Sequence, residues 1–182
     1  GSAGGTAKGN TCTNNELAGI GVAETASPLL DSNTCSANKK DGIAYFGSAS
    51  GTARLNRCEG NERSGIYVAD QAKPTLESNI CTGNKEAGIA YLGNACGTAK
   101  DNTCTGNELV GIFVGETASP LLDSNTCSAN KMQGIAYLGS AGGTAKGNTC
   151  TGNEQAGIFV AETASPLLDS NTCSANKKDG IA

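Results

Sequence analysis

The sequence predicts an all-β parallel solenoid, a rod in which the chain coils and each coil pairs with the next. Eight of the nine cysteines recur every 23 residues, from Cys12 to Cys173, and only Cys96 lies outside this series. Each 23-residue unit also contains three short β-compatible segments separated by Gly and Asn, and no apolar run at helical spacing. A fixed period of this length is typical of repeat architectures, and three short strands suit one coil of a β-solenoid.

Several other residue types keep the same period and indicate the role of each position. A Gly-Ile pair recurs from Gly19 and Ile20 onwards, and two Asn columns stand two residues before and three residues after each repeated Cys. We expect the Ile and Cys columns, the Val/Tyr column that starts at Val22 and the alternating Leu/Ala column at Leu30 to face the core. The Asn side chains are expected at turns, where stacked amides can donate and accept between coils. The Gly column predicts a backbone position with positive φ or a close approach.

The period also predicts the size of the domain. About eight coils at a spacing of about 4.8 Å make one domain over residues 1–182, roughly 38 Å long. Alternate coils differ, so the sequence unit is a 46-residue double repeat. Residues 1–44 and 139–182 differ at only three positions, and this near-identity favours a piece of a longer array.

Two charged columns alternate in sign from coil to coil. One contains Lys8, Asp31, Arg54, Glu77, Lys100, Asp123, Lys146 and Asp169, and the other contains Glu16, Lys39, Glu62, Lys85, Glu108, Lys131, Glu154 and Lys177. Opposite charges on paired strands contribute about 0.2–1 kcal/mol each. Because a slip by one coil would bring like charges together, we interpret both columns as structural stripes that fix the register.

Composition limits the chemistry that the chain can perform. The chain contains no His, which excludes His-based metal sites, Ser-His-Asp triads and Cys-His dyads. A net charge of −4 without a Lys/Arg-rich run disfavours nucleic-acid binding, and the apolar runs are too short to span a membrane.

Stacked thiols at coil spacing are further apart than a relaxed disulfide prefers, so the Cys column is predicted to pack in the core. Cys96, at an apparent turn, is predicted to be exposed and reactive. We expect no cofactor.

The repeat resembles a known family. The pattern G-I-x-V…A-x-P-x-L-x-x-N-x-C-x-x-N is carried by residues 65–68, 72–81 and 84–89, and it extends over the whole chain. It is similar to the right-handed parallel β-helix repeats of the pectate-lyase superfamily, especially the carbohydrate-binding and sugar-hydrolase repeats of NosD and of F-box proteins with a β-helix. The resemblance implies a right-handed coil. It implies less about function, because this family includes lyases, hydrolases, binding modules and substrate-recognition domains.

The resemblance brings no catalytic residue with it. Enzymes of this superfamily use clustered acids on one outer face, often with Arg or Lys and sometimes with Ca²⁺. Here the acids mostly occupy the two alternating columns, and no long loop interrupts the period to form the wall of a cleft. We therefore predict a non-catalytic scaffold or interaction module. The enzymatic alternative is a carbohydrate-active fragment, either a polysaccharide lyase or a glycoside hydrolase.

One stretch of the sequence departs from the regular columns and predicts a binding patch. All three Arg of the chain lie in it. The candidate patch consists of Arg54, Arg57, Glu59, Arg63, Asp70 and Lys73. Sequence drift in one less regular copy is the alternative explanation.

The strands around the repeated Cys predict a second candidate surface. With Cys facing inward, both flanking hydroxyl residues point outward. The resulting Thr/Ser face comprises Thr11, Thr13, Thr34, Ser36, Thr103, Thr105, Thr126, Ser128, Thr149, Thr151, Thr172 and Ser174. It resembles the Thr-x-Thr face of insect antifreeze solenoids and suggests ice binding, although residues 57–59 and 80–82 interrupt it. Thr is also an ordinary choice for an exposed strand position.

Two further features indicate partners. Tyr67, Phe113 and Phe159 form a column spaced by about 10 Å, on which sugars could stack or which covers the outer wall. Neither end of the chain carries a polar capping segment, which predicts head-to-tail stacking of the chain on itself. The predicted partners are therefore a second copy of the chain, a protein or a carbohydrate.

Overall fold

The structure, a computed structural model, describes residues 1–182 and contains 23 three-residue strands and no helix. The strands form three sheets in which every pair is parallel and every partner lies one 23-residue coil away, as Thr75 and Thr98 do. The predicted all-β solenoid and its register are confirmed. No helical segment has the length and apolar character that crossing a bilayer requires.

Each coil contributes one strand to each sheet, except that the last coil joins sheet C only through an isolated bridge between Ile181 and Ile158. Sheet A contains β1 (Thr6–Lys8), β4 (Leu29–Asp31), β7 (Thr52–Arg54), β10 (Thr75–Glu77), β13 (Thr98–Lys100), β16 (Leu121–Asp123), β19 (Thr144–Lys146) and β22 (Leu167–Asp169). Sheet B contains β2 (Thr11–Thr13), β5 (Thr34–Ser36), β8 (Arg57–Glu59), β11 (Ile80–Thr82), β14 (Thr103–Thr105), β17 (Thr126–Ser128), β20 (Thr149–Thr151) and β23 (Thr172–Ser174). Sheet C contains β3 (Ile20–Val22), β6 (Ile43–Tyr45), β9 (Ile66–Val68), β12 (Ile89–Tyr91), β15 (Ile112–Val114), β18 (Ile135–Tyr137) and β21 (Ile158–Val160).

The core between the three sheets consists of the predicted columns. Their members are fully buried in the middle of the rod, as Ile89, Cys81, Tyr91 and Leu76 are. The 46-residue double repeat has a packing reason. Coils that carry Leu in sheet A also carry Tyr in sheet C, and their neighbours carry Ala and Val, so large side chains alternate with small ones along the rod.

Two Asn ladders close the turns on either side of sheet B. The backbone N–H and the side-chain amide of Asn79 both donate to Oδ1 of Asn102, each at 2.9 Å. The Asn79 amide also donates to the carbonyl of Ala53 at 2.8 Å. The second ladder repeats this pattern, since Asn84 donates to Asn107 and to the carbonyl of Cys58. The predicted role of the Asn columns is confirmed.

Of the two predicted explanations for the Gly column, close approach is correct and positive φ is not. None of its members has positive φ. They are instead positions of close approach, because a Cβ on Gly88 would lie 2.7 Å from the carbonyl oxygen of Gly111. Positive φ occurs instead five residues earlier in the coil, at Gly83, where φ is 62°.

The charged columns lie in register, but they form ion pairs unevenly. In the column that begins at Glu16, each Glu pairs with the Lys of the following coil, as Glu16 does with Lys39 at 2.8 Å. In the other column, close pairs form only around Asp31, with Lys8 at 3.5 Å and Arg54 at 3.0 Å. The exposed Glu–Lys pairs contribute about 0–1 kcal/mol each, which agrees with a role in register more than in stability.

Each of the three buried tyrosines leaves its hydroxyl without a hydrogen-bond partner. The hydroxyls of Tyr45, Tyr91 and Tyr137 are buried and have no hydrogen-bond partner. Burying an unpaired hydroxyl costs about 1–3 kcal/mol. We expect Tyr91→Phe to leave the free energy of unfolding unchanged or to raise it by about 1 kcal/mol, as measured by urea denaturation. A loss of stability would contradict this expectation and would indicate an ordered water on the hydroxyl.

Candidate binding groove

The outer face of sheet C carries an apolar groove of about 390 Å³. The middle residue of each sheet C strand points outward, and in alternate coils this residue is aromatic: Tyr67, Phe113 and Phe159. Leu92 and Leu138, which directly follow the intervening strands, also line the groove, together with Leu109, Val110 and Met132. The groove therefore runs along the rod, across several coils.

The rings occupy space that small residues leave open. In register with Phe113 stand Ala90 on one neighbouring strand and Ala136 on the other. The Phe113 ring covers Gly115 so closely that a Cβ there would lie 2.7 Å from its Cε1 and 3.0 Å from Cδ2 of Leu92. Large and small side chains thus alternate on the outer face of sheet C as they do in the core. The rings of the aromatic column partly pack into the wall, and they also line the groove.

One end of the groove is polar. Arg63 lies with its Nε 3.5 Å from a carboxylate oxygen of Glu86 and its Nη1 3.9 Å from Oδ2 of Asp41. Its guanidinium carbon lies 5.1 Å from the centre of the Tyr67 ring, a cation–π contact. The hydroxyl of Ser64 is buried beside them without a hydrogen-bond partner. This end therefore presents a guanidinium next to an aromatic face, above a buried hydroxyl that has no partner.

Asp41 is the unusual acid of this cluster. It is 1% exposed, and its Oδ1 accepts a hydrogen bond from the backbone N–H of Ser64 at 3.1 Å. Burial raises the pKa of Asp41, and the opposing effects of this hydrogen bond and of Arg63 do not cancel the increase. The folded state therefore binds the carboxyl proton more tightly than the unfolded chain does. The stability that this preference contributes is present below the ordinary pKa of 3.8 and is lost as the pH rises through the raised value.

Substitution of Asp41 tests the direction of this pH dependence of stability. We expect Asp41→Asn, which removes the charge and keeps the acceptor, to be at least as stable as the wild type at about pH 7. Its advantage should shrink towards about pH 4, as measured by chemical denaturation across that range. Asp31→Asn is the matched control with the opposite sign, because hydrogen bonds from Ser32 and Arg54 lower the pKa of Asp31. If Asp41→Asn lowered the free energy of unfolding only at neutral pH, the expectation would be contradicted.

The six residues of the predicted binding patch lie around the coil and not on one surface. Arg63 lines the groove. Arg54 lies on sheet A, and Arg57 and Glu59 pair with each other on sheet B. The others, Asp70 and Lys73, lie in the turn that leads from sheet C to sheet A. A ligand that contacted all six would have to wrap around the rod, so the groove is the better candidate site.

The predicted Thr/Ser face lies in register on sheet B. It is continuous over the last four coils and is interrupted by Arg57 and Glu59 and by Ile80. Some hydroxyls of its second column are already engaged, since Thr105 donates to the carbonyl of Ser128 at 2.9 Å. Ice binding by this face stays a prediction, which a thermal-hysteresis assay would test.

The thiols are free but are mostly out of reach. All nine cysteines are unpaired, and only Cys12, Cys96 and Cys173 are partly exposed. A hydrogen bond shared with Cys127, together with burial, raises the pKa of Cys104 well above its ordinary value of 9.0. Such thiols stay protonated and act as small apolar side chains. No group of three or more Cys, Asp or Glu side chains has the arrangement of a metal site.

Comparisons with known proteins agree with the fold. The family model of the right-handed β-helix region matches residues 1–126 and 91–182. The structure is similar to the A-module of the mannuronan C-5 epimerase of Azotobacter vinelandii, with a TM-score of 0.83, 17% identity, and coverage of 97% of this chain and 55% of that one. It is also similar to a periplasmic alginate epimerase, crystallised as a double mutant, with a TM-score of 0.81, 18% identity and coverage of 92% and 44%.

These similarities concern the fold. The chain spans about half the length of each of these two structures, and the identities are too low to transfer residues. A search of curated protein sequences found no match.

Proposed function

The chain belongs to the right-handed β-helix family, and on this premise we propose that it is a non-catalytic binding module for an extended carbohydrate chain. The ligand lies along the rod in the groove of sheet C. The observation that carries this proposal is the aromatic column of that groove. The sequence predicts an interaction module without a defined surface. The aromatic column assigns that module a binding surface and a class of ligand.

The spacing of the rings suits a linear sugar polymer. Tyr67, Phe113 and Phe159 recur at every second coil, which places them about 10 Å apart along the rod. This is about the length of two sugar rings in an extended chain, so every second sugar meets an aromatic face. Sugars present apolar C–H faces to such rings and keep their hydroxyls directed to the rim. The rim supplies Arg63, Glu86 and Gln133 as hydrogen-bonding partners.

The structural neighbours support carbohydrate as the ligand class. Both are named as epimerases of alginate or mannuronan, which are polysaccharides. They share the architecture of this chain, and this likeness supports a polysaccharide as the class of ligand. At 17–18% identity, their activity is not carried over to this chain.

The arrangement of acids favours binding over catalysis. A glycoside hydrolase places two carboxyl groups on either side of the scissile bond, within about 10 Å of each other. In the groove Glu86 is the exposed acid, and it lies beside Arg63. Asp41, the other acid close to Arg63, is buried, and its Oδ1 accepts a hydrogen bond from the backbone N–H of Ser64. Neither carboxyl is placed to face a sugar from the opposite side.

Loss of the central ring should weaken binding. We expect Phe113→Ala to reduce affinity for the bound polysaccharide at least about tenfold, since buried aromatic anchors dominate interfaces of this kind. The measurement is affinity electrophoresis or calorimetry with a panel of neutral and acidic polysaccharides. Leu121→Ala is the matched control, because Leu121 is an exposed apolar residue on sheet A, away from the groove.

Three results would count against the proposal. These are the absence of binding across the panel, an equal effect of both substitutions, and conversion of a polysaccharide by the wild type. Conversion, detected as a change in product mass or sugar configuration, would favour the alternative of a carbohydrate-active fragment.

A further inference from the structure

The turn that leads from sheet C to sheet A carries a row of acids beside the groove. Asp70, Glu116 and Glu162 each stand three residues after an aromatic ring of the groove, so every second coil holds one ring and one acid. The row is next in sequence to the column of Leu92 and Leu138, which line the groove. All three acids are exposed, and they recur about every 10 Å along the rod. One margin of the groove therefore carries carboxylates at the spacing of its rings.

Backbone hydrogen bonds hold these carboxylates in place without neutralising them. Asp70 accepts from the N–H of Gly47 at 2.8 Å, and Glu116 accepts from the N–H of Gly93 at 2.9 Å. The third acid of the row repeats this pattern one double repeat later. None of the three belongs to an ion pair of the chain. Lys73 is the only cation in the same turns of these coils, so the margin is negatively charged.

Arg63, the only cation that lines the groove, is already paired. It lies 3.5 Å from a carboxylate oxygen of Glu86 and 3.9 Å from one of Asp41. Negative charge also acts on the neighbouring ring. Burial raises the pKa of Tyr67, Arg63 opposes this increase, and Asp41 and Glu116 add to it. An acidic ligand therefore finds no uncompensated cation at the polar end of the groove.

The cations just outside the groove do not supply one either. Lys131 pairs with Glu108 at 3.5 Å, and Lys85 pairs with Glu62 in the same manner. Lys40 lies one coil before the polar end and does not line the groove. A polymer that carries carboxylates would thus lie along a row of like charge without matching cations, and such an arrangement disfavours binding. A neutral polymer meets no such penalty.

We propose that the groove selects an uncharged polysaccharide and discriminates against polymers that carry a carboxylate on each sugar. This inference rests on the proposed function and narrows its class of ligand. An acidic polymer in the groove would place about two carboxylates beside each acid of the row, within the ring spacing of about 10 Å. Their repulsion is strongest where salt does not screen it.

The test uses pairs of linear hexasaccharides that share a backbone and differ only in charge. The pairs are β-1,4-linked glucan, mannan and galactan oligomers, each compared with the same oligomer oxidised to a carboxylate at C6. Calorimetry measures both members at an ionic strength of about 0.01 M, where charges act over about 30 Å, and at about 1 M, where they act over about 3 Å. We expect the neutral member to bind at least about tenfold more tightly at low salt, and this ratio to fall at high salt.

Two triple variants separate the acid row from the net charge of the chain. The groove variant removes the charges of the row and keeps an acceptor for each glycine N–H, and it combines Asp70→Asn, Glu116→Gln and Glu162→Gln. The matched control removes three acids at the same two-coil spacing from sheet A, and it combines Glu77→Gln, Asp123→Asn and Asp169→Asn. We expect the groove variant to lower the ratio of neutral to acidic affinity at least about threefold, and the control to leave it near that of the wild type. Urea unfolding verifies that both variants stay folded.

The outcomes distinguish this inference from the proposed function. Binding of the acidic member as tightly as the neutral one at low salt would overturn the inference and leave the proposed function standing. So would a groove variant with the ratio of the wild type, or a sheet A variant that lowers the ratio as much as the groove variant does. Failure of every oligomer to bind would overturn the proposed function and this inference with it.

Discussion

Replacement of Gly88 by alanine is expected to lower the free energy of unfolding by about 3 kcal/mol or more. A Cβ at this position would lie 2.7 Å from the carbonyl oxygen of Gly111 and 2.8 Å from Cβ of Cys104. Both neighbours belong to the next coil, and one of them is backbone. Since the coil spacing is fixed by three sheets at once, the chain cannot relax locally to admit the methyl group.

Gly83→Ala is the matched control for this substitution. A Cβ on Gly83 would meet nothing within 4 Å, and the same position in other coils is already occupied by Ala37 and Ala129. Its positive φ of 62° costs an alanine about 1 kcal/mol. Urea unfolding of the two variants, five residues apart in one coil, separates close packing from backbone conformation. Equal losses would contradict the close-approach explanation.

The sequence was sufficient to predict the coil and most of its core. The period places Cys81 next to Cys58 and Cys104 in any parallel solenoid, and inward-facing positions follow from strand alternation. The Gly column was harder to interpret. A sequence column of glycine fits either positive φ or close approach, and only coordinates for Gly111 relative to Gly88 distinguish the two.

The candidate site was predicted only in part. The aromatic column is visible in the sequence, but the groove also needs Leu92 and Leu138, which lie beyond the ends of their strands and do not share the column. The residues of the predicted patch do not lie on one surface, for a related reason. Neighbours in sequence spread around a coil of 23 residues, so Arg54 and Arg63 lie on different faces.

The polar end of the groove had a signal that was not used. Arg63 follows Asp41 by 22 residues and precedes Glu86 by 23, so these side chains lie in adjacent coils at almost the same angular position. Writing the sequence in rows of 23 would have brought the three together. Such an alignment does not show that Asp41 is buried or that the Ser64 hydroxyl has no hydrogen-bond partner.

Asn84→Ala is expected to be as damaging as the Gly88 substitution, with a loss of about 3 kcal/mol or more. The side chain accepts two hydrogen bonds from Asn61, at 3.1 and 2.9 Å, and donates to Asn107 and to the carbonyl of Cys58. Truncation leaves the Asn61 donors buried without an acceptor, and each such orphan costs about 1–3 kcal/mol. Because the ladder is directional, the coil before residue 84 should lose more local stability than the coil after it.

Two comparison variants make the Asn84 result specific. Asn94→Ala removes an exposed Asn near the middle of the rod, and it should cost less than about 1 kcal/mol. Asn84→Asp keeps the acceptor for Asn61 but loses both donated bonds and buries a carboxyl group, so it should be destabilising at neutral pH and less so in acid. Urea unfolding measures all three variants, and hydrogen exchange of the Asn61 amide locates the damage. If Asn84→Ala behaved like Asn94→Ala, the ladders would be a consequence of coil stacking. The loss predicted here would make them one of its causes.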